Sequence, residues 1–294
     1  MRKSEKMEES ITVKVWRVIY PLLIYLFVSV AIQMAFVMVL SFMYTANLDV
    51  YTAEKVEDIA NKVEQQAYAN SSYLSIASAA VCIPVLTFFF RTDMKKKNEK
   101  YTKFNPLFYL VIIVMGIAGC FGFSNLVDIM KISEVFKTYT EEVEGLLYGT
   151  GFIQGLIANA ILAPILEELL FRGLVYNRAQ SLMKSFAGSA IVTSLIFAFM
   201  HGNMVQGVYA FMVGMILCFV YDKTHTILAP VIFHMSANLF ACFATEYRFL
   251  DKMYSSDSAF IISTVVLLAV LVICGKFLDK KLNVKKMEEG MENV

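Results

Sequence analysis

Eight apolar segments recur along this 294-residue chain, most of them long enough to cross the hydrocarbon core of a bilayer. They fall at about residues 16–42, 73–90, 106–126, 148–183, 186–200, 205–221, 227–244 and 259–277. Backbone inside lipid must satisfy its own hydrogen bonds, and segments of these lengths do so as helices. The expected fold class is therefore all-α, a polytopic membrane bundle of about eight transmembrane helices. Composition agrees: 58% of residues are hydrophobic, against roughly 45–50% in a soluble domain. Segments 186–200 and 205–221 are short, which leaves room for one of them to be partly re-entrant.

A net charge of +1 offers no basic surface for nucleic acid. Five cysteines (Cys82, Cys120, Cys218, Cys242 and Cys274) all lie in apolar runs without a CxxC pair. They read as packing residues, not as disulfides or zinc ligands. The apolar run behind the charged head is longer than a signal-peptide core, so it is expected to stay as the first span. Between the first two spans, Val56, Ile59 and Val63 recur at helical spacing in a polar stretch and predict a short amphipathic helix. A second acidic amphipathic stretch, 128–144, is expected to lie at the interface. The organisation is one membrane domain in three parts. Residues 1–147 hold three spans and both acidic segments, 148–245 a core of four spans, and 246–294 the last span and a basic tail.

Lysine and arginine favour the cytoplasmic side in short loops. The head, the 91–103 loop, the 172–184 stretch with Arg172, Arg178 and Lys184, the Lys223 loop and the tail then share one side. The acidic segments 44–71 and 128–144 take the other. Eight spans with both termini cytoplasmic satisfy every loop, and the basic loops suit a bacterial plasma membrane.

Against that apolar background a few polar residues stand out. The stretch ILAPILEELLFRG, residues 161–173, puts Glu167, Glu168 and Arg172 inside a spanning segment. Each ionised side chain near mid-membrane costs roughly 2.5–3.5 kcal/mol on insertion scales. Glu168 and Arg172 are i,i+4 and can pair on one helical face. Glu167 points about 100° away, without a partner in its own helix. All three histidines lie in the second half. His201 ends a span with Phe197 one turn before it, His234 precedes Asn238 by one turn, and His225 sits in a loop as a surface residue. Alone, His234 and Asn238 fit an interhelical hydrogen bond. Pro164 and Pro230 precede Glu167 and His234 and either kink or start their helices there. Gly151 and Gly155 make a GxxxG spacing suited to close helix packing.

Together these groups suit hydrolysis. A glutamate in apolar surroundings beside a neutral imidazole can take a proton from water and pass it to a leaving amine. A second imidazole and an amide one turn apart can donate to an oxyanion, an interaction worth roughly 2.7–4 kcal/mol per donor. Two imidazoles and a carboxylate (Glu167, His201, His234) also make a plausible zinc set, so a cofactor-free site and a zinc site both remain open.

At these residues the chain resembles the CAAX prenyl-endopeptidase and bacteriocin-processing proteins, the CPBP or Abi intramembrane proteases. Three motifs match in order: EExxxR as Glu167 to Arg172, FxxxH as Phe197 to His201, and HxxxN as His234 to Asn238. The resemblance covers about 158–243. It implies an eight-helix endopeptidase in which Glu167 and His201 activate water while His234 and Asn238 stabilise the oxyanion. Glu168, Arg172 and Phe197 would shape the site. It further implies a glutamate-type protease without an obligatory metal, acting on a membrane-associated peptide or protein. A bacterial chain points to a peptide precursor or bacteriocin leader over a prenylated CAAX tail. The alternatives are a self-immunity or scaffold protein that binds a peptide or sensor partner, and a proton-coupled transporter, disfavoured by the lack of an internal repeat. One tension stands: His201 at the end of its span is shallow, whereas Glu167 lies near the middle of its own.

Overall fold

In a computed structural model, the structure describes residues 9–46, 52–97, 106–132, 151–202, 204–248 and 256–291. These residues form nine helices and no strand. They are α1 (Ile11–Thr45), α2 (Ala53–Ala69), α3 (Ser71–Lys97), α4 (Pro106–Ile129) and α5 (Phe152–Met183), then α6 (Phe186–Met200), α7 (Met204–Thr224), α8 (Leu228–Glu246) and α9 (Asp257–Met291). Seven are long and apolar enough to cross a membrane; α2 is polar and α6, at 15 residues, is short. The protein is an integral membrane helical bundle, as its apolar periodicity predicts. The amphipathic helix expected around Val56–Val63 is α2, with Val63 buried against the bundle and Val56 left exposed. Most of the second acidic stretch, 133–144, lies outside the described residues.

The two largest of four apolar clusters among the described residues hold most of the helices. One gathers α1, α3 and α5 around Leu86, Leu170, Phe171 and Leu174. The other gathers α4, α7, α8 and α9 around Ile112, Met115, Leu217, Phe233 and Leu278. The most apolar window of α5 is 44% buried while that of α1 is 6% buried, so α5 is central and α1 faces lipid. Apolar side chains exposed on α1 and α9, such as Phe27 and Val266, fit that placement.

Polar contacts pin one end and aromatic contacts the other. At the basic end, Arg178 of α5 donates to Asp93 of α3 (2.7 Å), to the Tyr20 hydroxyl (2.9 Å) and to the Arg17 carbonyl of α1. Arg17 reaches Asp93 (3.0 Å) and Glu9 (3.0 Å). Tyr176 of α5 donates to Asp222 of α7 at 2.8 Å, and Lys223 pairs with Asp279 of α9 at 2.6 Å. His225, exposed and at φ 51°, turns the chain out of α7. The opposite end is aromatic: Phe152 at the start of α5 packs on Phe243 and Tyr247 at the end of α8. Arg172 departs from its expected place in a basic loop. It is fully buried within α5, where Glu168 pays its desolvation by pairing with it.

Helices α4 and α8 come closest at Gly116, where a Cβ would stand 2.2 Å from Ser236 Oγ and 2.3 Å from the Phe233 carbonyl oxygen. Only glycine fits without moving the backbone that carries His234. Overpacking costs roughly 1–3 kcal/mol, so Gly116→Ala is expected to lower the thermal unfolding midpoint in detergent clearly. Gly119→Ala, whose Cβ would meet the Phe233 ring edge at 3.2 Å, is expected to lose less. Equal midpoints for the two variants would contradict that packing.

Candidate functional site

Helix α5 is irregular where the polar residues sit. Two stretches, Leu156–Leu162 and Leu169–Tyr176, are wound as π-helix on either side of the α-helical Ala163–Glu168. Pro164 explains much of the first. It has no N–H to donate, and its ring would crowd the preceding turn of an α-helix. The Ala163 N–H instead bonds to the Ala158 carbonyl, five residues back. In that register the carbonyl of Asn159 faces the proline nitrogen, which cannot donate. Asn238 of α8 fills the gap, donating from Nδ2 to the Asn159 carbonyl at 2.8 Å. The interhelical bond anticipated for Asn238 is thus present and leaves its second amide hydrogen available.

One turn on, Glu168 and Arg172 form the pair their spacing predicts, with Nη1 to Oε1 at 2.9 Å and both side chains fully buried. Arg172 also donates to the Gly214 carbonyl of α7 (3.1 Å), and its guanidinium lies 4.8 Å from the Phe197 ring centroid. The same Glu168 oxygen accepts from His234 Nδ1 at 2.8 Å. Because that nitrogen donates to a carboxylate, the opposite nitrogen, Nε2, is the one presented to Glu167, whose Oε2 lies 3.8 Å away. Glu167 therefore does meet a neighbour, on α8.

His201 ends α6. Gly202 follows at φ 66°, a left-handed conformation that glycine adopts without strain, and the backbone leaves the helix there. The His201 N–H has shifted to the Ala198 carbonyl, and the ring Nδ1–H takes the freed Phe197 carbonyl at 2.8 Å. Its Nε2 is left for other work. Phe197 is wedged between both imidazoles, with ring centroids 4.7 Å from His201 and 6.1 Å from His234, each edge to face.

Glu167, His201, His234 and Asn238 all line one cavity of about 580 Å³. The depth mismatch between His201 and Glu167 dissolves because α6 is short. At 1.5 Å per residue its 15 residues rise about 22 Å, less than the roughly 30 Å of hydrocarbon. The cavity extends to the aromatic end of the bundle, where Gly151, Phe152, Thr245 and Glu246 line it. Gly151 and Gly155 are thus cavity wall. Among the described residues no group of three His, Cys, Asp or Glu side chains is placed to hold a metal ion.

Known proteins resemble the stretch that carries this geometry. Residues 149–240 match the family of type II CAAX prenyl endopeptidases described as Rce1-like. That stretch contains all three motifs. A protein of Bacillus subtilis (strain 168) named "Putative membrane peptidase YdiL" is 23% identical over 175 residues, covering 56% of this chain and 68% of its own length. An Escherichia coli protein named "Uncharacterized 24.3 kDa protein" is 36% identical over 87 residues, covering 28% of this chain and 40% of its own length. No solved structure matches. These likenesses support a membrane protein of CAAX-protease type.

Sequence reasoning missed the link between Glu168 and His234, which are 66 residues apart. Breaking it has a calculable direction. Arg172→Met leaves a buried carboxylate short of its counter-ion, and such a loss costs roughly 3–5 kcal/mol. The thermal midpoint in detergent is expected to fall sharply. Glu168→Leu combined with Arg172→Met is expected to recover part of the loss, since neither ion of the pair is then buried, although His234 Nδ1 loses its acceptor. A double variant as unstable as the single one would show that the pair does not act as a unit.

Proposed function

We propose that the protein is an intramembrane endopeptidase that hydrolyses a peptide bond of a membrane-associated peptide or protein, with water as nucleophile and no obligatory metal. The observation that carries this reading is the convergence of Glu167, His201, His234 and Asn238, from three separate helices, on one cavity. In the proposed reaction Glu167 takes a proton from water held between it and His201 Nε2, and the oxygen attacks the scissile carbonyl. The resulting oxyanion accepts hydrogen bonds from His234 Nε2–H and the second Asn238 amide hydrogen. Glu167 then passes its proton to the departing amine, which breaks the carbon–nitrogen bond. In this scheme His234 turns Nε2 to the oxyanion while Nδ1 is held by Glu168. Glu168 and Arg172 hold it in that orientation, and Phe197 spaces the imidazoles.

Both termini are assigned to the cytoplasm of a bacterial cell. The starts or ends of α1, α3, α5, α7 and α9 that meet in the basic network then face inward. The cavity mouth at Gly151, Phe152, Thr245 and Glu246 consequently opens toward the outer side. A substrate reaches it as an exported precursor or as the outer flank of a membrane-anchored chain.

Two measurements test these assignments. Glu167→Gln keeps the shape of the side chain and loses its charge. Cleavage of a mixture of synthetic membrane-partitioning peptides, followed by mass spectrometry, is expected with the wild-type protein and to be lost with this variant, while insertion is unchanged. Cleavage retained at the wild-type rate would refute the role of Glu167. For the orientation, Thr245→Cys in a chain freed of its five cysteines is expected to react with a membrane-impermeant maleimide in intact cells. Lys184→Cys, on the basic end, is expected to react only after permeabilisation, and the reverse pattern would invert the topology.

A further inference from the structure

A second cavity, of about 210 Å³, touches Glu167 from the opposite side and lies between α1, α3 and α5. It shares Asn159, Ala163 and Glu167 with the larger one. Beside Ala79, Ala158 and Leu166, its remaining wall carries five polar side chains, many for the interior of a membrane bundle: Tyr25, Ser29 and Gln33 from α1, and Ser75 and Ser78 from α3. Tyr25, Ser29 and Gln33 are spaced i,i+4,i+8 and form one stripe along a helix that otherwise shows apolar residues such as Leu26, Phe27, Val30 and Met34. Polar side chains on a spanning helix persist where they are paired or solvated, and they mark pathways. Ser78 is buried next to the cavity, whereas Gln33 and Ser75 are exposed. The polar lining thus runs from the surface of the protein inward to the carboxylate.

Hydrolysis consumes one water per bond, and a peptide seated in the larger cavity covers Glu167 from that side. We propose that the α1–α3–α5 cavity is a water inlet, supplying Glu167 from behind while substrate occupies the front, with Ser29, Gln33 and Ser78 as its hydrophilic wall. This rests on the hydrolase reading for its purpose. It gives a function to α1 and α3, which lie outside the stretch that matches the protease family.

The first test needs no substrate. In the full chain freed of native cysteines, Ser29→Cys and Ser78→Cys are each treated with a charged methanethiosulfonate. Only the thiolate reacts, and a thiol in hydrocarbon does not ionise, so an aqueous cavity is expected to give rates at least about tenfold above Phe27→Cys on the lipid face. Rates no higher than that control would overturn the inlet. The second test uses the peptide whose cleavage depends on Glu167. Ser78→Leu, which fills the cavity with an apolar side chain, is expected to lower kcat several-fold with KM unchanged. A raised KM with unchanged kcat would make the cavity part of the substrate groove and overturn the inlet as well. If the wild-type protein cleaved no peptide, the hydrolase reading would fall by itself, because thiol reactivity reports the aqueous cavity independently.

Discussion

A single carboxylate oxygen, Glu168 Oε1, is the joint on which the site depends. It accepts from Arg172 on its own helix and from His234 on α8, and it is sealed from solvent. In such surroundings the two donors are not interchangeable decorations. Remove Arg172 and the carboxylate is under-compensated; remove Glu168 and the guanidinium is buried among Phe197, Phe171 and a backbone carbonyl. Because one oxygen serves both, the position of α8 relative to α5 is fixed to hydrogen-bond precision. That contact also settles which imidazole nitrogen meets Glu167.

A second joint works through the backbone. Pro164 withholds a donor, the π-wound turn before it leaves the Asn159 carbonyl available, and Asn238 takes it. The two bonds from α8, at His234 and Asn238, are one helical turn apart and land on either side of Glu167 along α5. The irregular helix is therefore a means of presenting a carbonyl, a carboxylate pair and a free carboxylate to one neighbour. Gly116 allows α4 to press against the same α8 turn from behind.

Much of this was legible before any coordinates. Apolar runs give the place of every apolar helix, because a bilayer demands such runs. They do not give the ends of α1, α3 and α9, which extend past the apolar segment, and α6 is too short to count among the seven long enough to span. The i,i+4 spacing gives Glu168–Arg172 and Phe197–His201, since local geometry dictates both. What stayed hidden is non-local: the Glu168–His234 bond joins residues that no periodicity relates. Arg172 was assigned to a basic loop because charge counting does not see burial, and a paired arginine escapes the positive-inside rule. The stripe Tyr25, Ser29, Gln33 was visible by spacing alone, yet weak polar residues in a long apolar run do not stand out until a cavity faces them.

Charge conservation explains why this set of groups suits a low-dielectric site. In the proposed reaction the site begins with one reacting carboxylate, Glu167, beside the buried Glu168–Arg172 pair. When Glu167 accepts the proton from water, the negative charge passes to the oxyanion beside His234 and Asn238, and the sum is unchanged. Two unit charges 4 Å apart interact with about 1 kcal/mol in bulk water and several times that near a protein surface, so a step that changed the net charge would be penalised far more inside a bilayer than in solution. A mechanism that only relocates charge over a few ångströms avoids that penalty. In that proposal the buried Glu168 bears on the chemistry, although it touches neither water nor peptide, by fixing which nitrogen of His234 faces Glu167.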